Sequence, residues 1–296
     1  MNTPLLVSPT RPAAPNPPPH STRWQDTLTL FVIRLVLILI CIITVAPIAL
    51  IVSASFNTSS SLFSSHLIPT HPTLANFTRL FEKTSFLLWM KNSAIVCLGG
   101  SLLALALSVS MGYAFARIRF YGRRYGLLAL ILIQMLPSSV MIVAIYRLLQ
   151  AIGQLNQYSG LILVYGGLTV PFNAWLMRGY FNSIPHELEE SAYIDGAGIW
   201  QAFVSVALPL ATPMIAVVFI FNLIGFFNDY ILASIVFTGN QYYTVALGMR
   251  FFQNPYAGNW TMFAAGALLA SLPITIIFYS LQRFLVEGLT RGALKG

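Results

Sequence analysis

The sequence predicts an all-α membrane protein that crosses the bilayer about six times, and three observations support this fold class. Of the 296 residues, 57% are hydrophobic and 8% are charged, whereas about a quarter of an ordinary soluble domain is charged. The apolar residues gather in segments of about 20 residues or more, the length that a helix needs to span the hydrocarbon core. These segments lack the alternating pattern of a membrane β-barrel, so helices are the expected spanning elements.

The N-terminal segment, residues 1–27, differs from the rest of the chain in composition. It is rich in Pro, Ser and Thr, and such a stretch buries too little apolar surface to build a core. It also lacks the short apolar region with a small-residue cleavage site that marks a signal peptide. We therefore expect a disordered cytoplasmic tail before the first span.

Six segments are long and apolar enough to cross a membrane. They cover residues 28–52, 87–116, 125–149, 160–180, 210–237 and 262–286. We therefore expect a six-span transmembrane domain over residues 28–286, followed by a cytoplasmic C-terminal tail, residues 287–296.

The placement of Lys and Arg predicts the orientation of these spans. Four arginines crowd the short loop after the second span: Arg117, Arg119, Arg123 and Arg124. Basic residues favour the cytoplasmic side, and the basic residues near both termini then fall on that side too. Both termini are therefore expected in the cytoplasm. The net charge of +8 indicates topology and contact with membrane lipid headgroups, and nucleic-acid binding is not expected.

Three loops are expected to face outward, covering about residues 53–86, 153–159 and 238–260. The third contains several aromatic residues, among them Tyr242, Tyr243, Phe251, Phe252 and Tyr256. Two interpretations are open for them, because they could contact a partner outside the membrane or form an interfacial belt.

The cytoplasmic loop between the fourth and fifth spans, residues 183–209, predicts two short helices separated by a break. Pro185 suits a first helical position. Three acidic residues in the opening turns, Glu187, Glu189 and Glu190, complement the helix dipole. Gly196, which follows Asp195, can adopt positive φ and stop the helix.

The second short helix is amphipathic and lies outside the predicted bilayer. Its apolar residues recur at three- and four-residue spacing: Ile199, Trp200, Phe203 and Val206. This face must cover the membrane, the protein's own helix bundle or a groove on a partner. Pro209 and Pro213 mark a bend into the fifth span.

One spaced pattern in this loop resembles a known family motif. Glu190-Ser191-Ala192 is followed by three residues, Gly196, nine residues, Val206, one residue and Leu208-Pro209. This run is similar to the EAA motif of binding-protein-dependent ABC importer permeases, which reads Glu-Ala-Ala, three, Gly, nine, Ile, one, Leu-Pro. Ser191 and Val206 depart from that pattern by mild substitutions.

The resemblance implies a type I ABC importer permease fold, in which this loop is the coupling helix that docks on an ATPase subunit. The docking residues that it implies here are Glu190, Ser191, Ala192, Asp195, Gly196 and Ala197.

The C-terminal half resembles the carbohydrate-uptake branch of that family, including the six-span permeases of maltose-type transporters. The segments that carry this likeness are 244–249, 263–266, 272–274 and 282–296. The resemblance implies import of an oligosaccharide or related carbohydrate across a bacterial inner membrane. The implied partners are a second homologous permease, two ATPase subunits and an extracytoplasmic solute-binding protein. Other cargo within the same family, such as glycerol phosphate or a polyol, is an open alternative.

Catalytic chemistry is not expected in this chain. It contains no Gly-x-x-x-x-Gly-Lys-Ser/Thr sequence, so ATP and Mg are expected on the partner ATPase, with no cofactor here. Its few His and Cys residues suggest no metal site. A secondary transporter would need ion-coupling carboxylates in several spans, and only Asp229 is found. A membrane-bound enzyme would need paired acids or a metal cluster, and neither is apparent.

Polar residues within the fifth span are candidates for a substrate pathway, because ionisable groups in a membrane usually face protein or water. The candidates are Asn222, Phe227, Asn228, Asp229 and Tyr230. Aromatic rings stack on sugar faces while amides and carboxylates bond hydroxyl groups. The alternative is that they form a structural hydrogen bond between helices. The resemblance to maltose-type transporters also weakens a substrate role for them, because there the other permease holds the sugar. Gln134, Asn173 and Arg34 are weaker candidates.

Overall fold

A computed structural model describes residues 23–58, 69, 71–135, 138–253 and 259–293, and within these ranges all regular structure is helical. Residues 1–22 of the predicted N-terminal tail, Tyr256 of the third outer loop and residues 294–296 lie outside the described residues. The chain divides into two compact units, residues 1–50 and residues 51–296. The candidate sites below all lie in the second unit.

The first six helices comprise three long and three short ones. They are α1 (Arg23–Ser55), α2 (Ala75–Lys83), α3 (Phe86–Arg117), α4 (Arg123–Ile133), α5 (Ser138–Ala151) and α6 (Tyr158–Ser183).

The remaining helices include several short ones around two long ones. They are α7 (Glu187–Ile194), α8 (Ile199–Ala202), a π-helical turn (Phe203–Ala207), α9 (Leu208–Leu210), α10 (Thr212–Asn228), α11 (Ile231–Val236), α12 (Val245–Met249) and α13 (Trp260–Ala293). Two 3₁₀ turns, Asn240–Tyr242 and Arg250–Gln253, flank α12.

Four of the helices are long and apolar enough to cross a membrane. These segments are Thr27–Ser55, Phe86–Arg117, Tyr158–Ser183 and Trp260–Phe284. A fifth span arises if Ile199–Leu210 and Thr212–Asn228, which meet at an angle of 74°, are counted together. The described residues thus hold four or five apolar spans, whereas the sequence predicts six.

The predicted third span, residues 125–149, is two helices in the structure. The helix α4 ends at Ile133 and α5 begins at Ser138. The sequence places Pro137 at this point, and a proline cannot donate the amide hydrogen that a continuous helix requires. Each of the two helices is therefore shorter than a single membrane crossing needs.

The predicted fifth span, residues 210–237, is also interrupted. The helix α10 ends at Asn228, and α11 begins three residues later at Ile231. The bend that Pro209 and Pro213 predict is confirmed, because the 74° change of direction falls between Leu210 and Thr212.

The helices α3 and α6 form the most extensive pair in the second unit, and α10 packs against both. The two helices approach each other closely at Gly112. A Cβ atom built there would lie 2.5 Å from Cβ of Met177 and 3.0 Å from the backbone nitrogen of Arg178. Only glycine lets the two backbones approach this closely, and small residues serve the same purpose in many membrane helix pairs.

The end of α3 opposite Arg117 is tied to the segment before α12 by buried polar groups. The Asn92 side chain donates from Nδ2 to the carbonyl oxygens of Gln241 and Tyr243, each at 2.9 Å. Its Oδ1 accepts a hydrogen bond from the hydroxyl group of Tyr158 at 2.7 Å. These bonds fix the predicted third outer loop on α3 and α6.

Most described aromatic residues of that loop pack on the protein's own chain. Tyr242 stacks on Phe237 with ring centroids 5.8 Å apart. Phe252 is buried beside Trp89, while Phe251 remains exposed. Internal packing is therefore a third role for these rings, beside the two that the sequence left open.

Candidate functional site

The helices α7 and α8 form an elbow, residues 187–202, called here the α7–α8 elbow. The helix α7 begins at Glu187, so the prediction that Pro185 holds a first helical position is wrong by two residues. The carbonyl oxygen of His186 instead accepts hydrogen bonds from the N–H groups of Glu189 and Glu190, each at 3.0 Å. The three glutamates lie in the first turn, where negative charge complements the helix dipole.

The stop at the end of α7 is the one that the sequence predicts. Gly196 has φ of +87°, a left-handed conformation that glycine adopts without steric cost. The N–H of Ala197 donates to the carbonyl oxygen of Ala192 at 2.9 Å, and the N–H of Gly196 donates to that of Tyr193 at 3.1 Å. This pair of bonds is the Schellman arrangement, which satisfies carbonyl groups that a helix end otherwise leaves open.

A buried carboxylate attaches α7 to the end of α3. Oε1 of Glu189 lies 2.6 Å from Nε of Arg117, and the two side chains are only 3% and 5% exposed. The hydroxyl group of Tyr113 donates to the other carboxylate oxygen at 2.8 Å. We call these three residues the Arg117–Glu189 clamp.

The remaining nitrogens of Arg117 hold the chain that leads into α7. Nη2 donates to the carbonyl oxygen of Ile184 at 2.9 Å. Nη1 lies 2.9 Å from Nε2 of His186. One guanidinium group therefore fixes both the approach to the elbow and its first helix, as the planar geometry of arginine permits.

The sequence pattern placed Glu189 among the dipole-complementing acids and missed its partner. The available signal was the pair of opposite charges itself, Arg117 at the end of one span and Glu189 in the loop. Their separation of 72 residues could be bridged only once α3 and α6 were known to be neighbours.

The residues predicted to dock on an ATPase lie on the outer face of the elbow. Four are exposed and two are half-buried; in chain order the six are Glu190, Ser191, Ala192, Asp195, Gly196 and Ala197. Two large apolar side chains stand beside them, because Ile194 is 87% and Trp200 is 72% exposed. The elbow thus presents an apolar and acidic surface while its inner side is clamped to α3.

The predicted apolar face of the second short helix is divided in the structure. Ile199 and Trp200 are exposed, whereas Phe203 is buried with its ring centroid 4.5 Å from that of Tyr113. The π-helical turn begins at Phe203, and its wider winding changes the direction of the following side chains. The predicted face therefore does not act as one surface. Phe203 covers the protein's own helix bundle, whereas Ile199 and Trp200 remain available to a partner or to the membrane.

The polar residues of the predicted substrate pathway have separate partners. Nδ2 of Asn173, on α6, donates to Oδ1 of Asn222, on α10, at 2.9 Å. Nδ2 of Asn222 is buried and has no hydrogen-bond partner within the described part of the chain. The weaker candidate Gln134 donates to the carbonyl oxygen of Leu168.

Asp229 acts first of all as a connector between helices. Its carboxylate accepts hydrogen bonds from the Tyr165 hydroxyl group at 3.0 Å and from the backbone N–H of Ala233 at 3.2 Å. The second bond lies at the start of α11, where helices carry unsatisfied N–H groups. Asp229 therefore forms an interhelical hydrogen bond of the kind that the sequence left open as the alternative to a substrate contact.

The other pathway candidates lie near Asp229 in sequence but face different neighbours. Phe227 and Asn228 line a cleft of about 320 Å³ together with Ser271 and Thr275 of α13. The ring of Tyr230 instead lies 4.6 Å from the guanidinium carbon of Arg250. Within the described ranges, no three His, Cys, Asp or Glu side chains are grouped so that they could hold a metal ion.

Comparisons with known proteins agree with this architecture. Residues 100–291 match the family described as binding-protein-dependent transport system inner membrane component. The maltodextrin transport system permease protein of Bacillus subtilis is 38% identical over 88% of this chain and 95% of its own length. The galactooligosaccharides transport system permease protein of the same organism is 40% identical over 88% and 94%.

A solved structure shares the fold. The crystal structure of a bacterial ABC transporter involved in the import of the acidic polysaccharide alginate contains a chain that aligns with a TM-score of 0.78 at 21% identity. The alignment covers 90% of this chain and all of that one. Since the family match extends over residues 100–291 and close relatives match along almost their whole length, the chain belongs to the binding-protein-dependent transport system inner membrane components.

Proposed function

We propose that this protein is a permease subunit of an ABC importer that brings an oligosaccharide into the bacterial cytoplasm. The family description supports the importer, and the names of the Bacillus relatives, maltodextrin and galactooligosaccharides permeases, support the cargo. The permease itself does not hydrolyse ATP; a separate ATPase subunit binds ATP and Mg.

The α7–α8 elbow is the surface that docks on this ATPase. The observation that carries the assignment is the contrast between its two sides. Glu190, Asp195 and Gly196 are exposed, while neighbouring Glu189 is buried against Arg117. An element that is exposed on one side and clamped to a spanning helix on the other can transmit a push from the ATPase to α3.

The proposed topology has six spans, with α4 and α5 together forming the third crossing. Both termini then lie in the cytoplasm, on the side that holds the elbow and the arginines after α3. This arrangement is supported by the excess of basic residues there. It leaves the segment between α11 and α13 outside, where a solute-binding protein can reach it.

Transport follows alternating access in a complex with a second homologous permease, two ATPase subunits and an extracytoplasmic solute-binding protein. Closure of the ATPase dimer moves the elbow, and the substrate cavity of the complex then opens to the outside. The loaded binding protein must favour that state, because a ligand shifts an equilibrium only through differential affinity. Asn222, Phe227, Asn228, Asp229 and Tyr230 remain the proposed pathway residues, with Asn222 the strongest because its buried Nδ2 has no hydrogen-bond partner within the described residues.

The test is reconstitution of the chain with its candidate partners in proteoliposomes. Loaded binding protein should stimulate ATP hydrolysis and uptake of a labelled maltodextrin. Glu190→Lys should abolish the stimulation because it reverses charge on the docking face, whereas Glu187→Lys, an equal change on the same helix, should retain most of it.

Three outcomes would each overturn one part of this assignment. Failure of loaded binding protein to stimulate hydrolysis by the unaltered complex would remove the importer function. Equal activity of Glu190→Lys and unaltered protein would remove the docking role of the elbow. Uptake of glycerol phosphate or a polyol in place of maltodextrin would keep the importer and change its cargo.

A further inference from the structure

A basic cleft of about 740 Å³ lies where the turn between α3 and α4 meets α6. Four arginines line it, Arg119, Arg123, Arg124 and Arg178, together with three aromatic residues, Phe120, Tyr121 and Tyr125. We call it the arginine cleft. Since Arg117 is both the last residue of α3 and the partner of Glu189, the cleft lies at the same end of the helix bundle as the α7–α8 elbow.

The cleft gathers positive charge without a carboxylate to balance it. Within the described part of the chain, the sole ion pair is that of Arg117 with Glu189, and Arg117 does not line the cleft. Four guanidinium groups thus face one cleft with no carboxylate partner. Arginine stays charged under all ordinary conditions, so the cleft attracts an external anion.

Two of the four arginines differ in how they are used. Arg123 serves the fold, because its Nε and Nη2 donate to the carbonyl oxygens of Phe115 and Ala116 at 2.9 and 2.7 Å. These carbonyl groups belong to the last turn of α3, where a cation is favourable. Arg178 carries a buried Nε that has no hydrogen-bond partner within the described residues.

A helix N-terminus adds to the positive potential of the cleft. The helix α4 has 11 residues and begins at Arg123, after Gly122 with φ of +88°. Helix N-termini carry positive partial charge, which favours an anion. The side chains and the backbone therefore select for the same kind of ligand.

The chemistry that satisfies this cleft is a phosphate group, because guanidinium forks bind phosphate oxygens in pairs. The aromatic side chains point to its source. Tyr121 and Tyr125 are largely exposed at the rim, and tyrosines concentrate at the headgroup level of membranes. We propose that the arginine cleft binds the phosphate of an anionic phospholipid headgroup in the cytoplasmic leaflet, with Arg119, Arg124 and Arg178 as its ligands.

The site is placed on the cytoplasmic side by the proposed topology but does not depend on the cargo. It can be tested on the full-length chain purified in mild detergent, by native mass spectrometry with added phosphatidylglycerol. The test variant is Arg124→Gln/Arg178→Gln. The matched control is Arg79→Gln/Arg147→Gln, which removes the same charge from two exposed arginines outside the cleft.

Phosphatidylglycerol should bind the unaltered chain and the control with equal affinity. It should bind the test variant about 25-fold more weakly, because each arginine near an anionic lipid surface contributes about fivefold. Arg178→Lys keeps the charge but loses the forked guanidinium group. Its affinity for phosphatidylglycerol should lie between those of the unaltered chain and the test variant. Thermal unfolding in the same detergent checks that each variant is folded.

Three results would overturn the proposal. The first is equal lipid binding by the test variant and the control. The second is binding of zwitterionic phosphatidylcholine as tightly as phosphatidylglycerol. The third is inorganic phosphate that binds in a manner dependent on Arg124 and Arg178 while phosphatidylglycerol does not, which would assign the cleft to a soluble anion. None of these results would alter the importer assignment, because lipid binding is measured without transport.

Discussion

The Nε atom of Arg117, the last residue of α3, lies 2.6 Å from the Oε1 atom of Glu189 in α7. Exposed ion pairs contribute about 0–1 kcal/mol, but this pair is almost fully buried. Removing one partner from such a pair leaves an uncompensated charge and costs about 3–5 kcal/mol. The clamp is therefore a stronger connection than the short length of α7 suggests.

The first prediction concerns this clamp. Glu189→Gln should loosen the elbow, because Arg117 then lacks its countercharge. A local loss of about 3 kcal/mol corresponds to about 100-fold faster amide hydrogen exchange in α7. Exchange should be measured by mass spectrometry, together with the stimulation of ATP hydrolysis by loaded binding protein, which should fall in parallel.

The control is Glu187→Gln, which removes an exposed carboxylate from the same helix and should change neither quantity. The double variant Arg117→Gln/Glu189→Gln should recover part of the protection, because no buried charge is left alone. Unchanged exchange in Glu189→Gln would show that the clamp does not hold the elbow.

A second prediction compares two glycines that differ in backbone conformation. Gly196 has φ of +87° and Gly198 has φ of −76°, and neither has an atom within 4 Å of a built Cβ. Gly196→Ala should destabilise the stop by about 1–2 kcal/mol, the cost of left-handed backbone for an L-residue.

Gly198→Ala should be neutral or slightly stabilising, since its φ suits any residue. The measurement is amide exchange at position 196 and at Ala197, whose N–H groups close the Schellman bonds. Exchange should rise about 5- to 30-fold in Gly196→Ala only. A similar effect of both variants would mean that side-chain contact, and not φ, governs the stop.

These two positions show what the sequence can predict. The stop at Gly196 depends on the conformational range of one residue at the end of one helix, so the local pattern predicts it. The clamp depends on Arg117, which is 72 residues from Glu189 in the chain, and its existence follows from how α3 and α6 cross. Their charges mark Arg117 and Glu189 as candidates for an ion pair, but the sequence does not show that they pair with each other.

The spans show the same division. Four segments that the sequence predicts as spans correspond to single long helices in the structure. The third does not, because average hydropathy over residues 125–149 is insensitive to the break between Ile133 and Ser138. Among the pathway candidates, spacing indicated polar residues in α10, but it could not show that Asp229 bonds to Tyr165.

A third prediction tests the crossing of α3 and α6. Gly112→Ala should lower stability by about 1–3 kcal/mol, because its Cβ would overlap with Met177 and crowd the backbone of Arg178. Gly179→Ala is the matched control, since that glycine lies in α6 with no atom within 4 Å. Alanine favours helices by about 1 kcal/mol over glycine.

The two variants should therefore shift the thermal unfolding midpoint in detergent in opposite directions, downward for Gly112→Ala and upward or not at all for Gly179→Ala. A midpoint for Gly112→Ala that matches the unaltered protein would show that α3 and α6 can separate without cost, contrary to their close approach at this residue.

The last prediction concerns the amide pair of Asn173 and Asn222. Polar pairs between membrane helices contribute about 0.6 kcal/mol on average, so Asn173→Leu/Asn222→Leu should unfold at nearly the same temperature as the unaltered protein. If the unpartnered Nδ2 of Asn222 serves the cargo, the double variant should lose sugar uptake while loaded binding protein still stimulates ATP hydrolysis. Asn173→Leu alone leaves that Nδ2 in place and should retain more uptake than Asn222→Leu alone. Equal uptake by all three variants and the unaltered protein would make the pair purely structural.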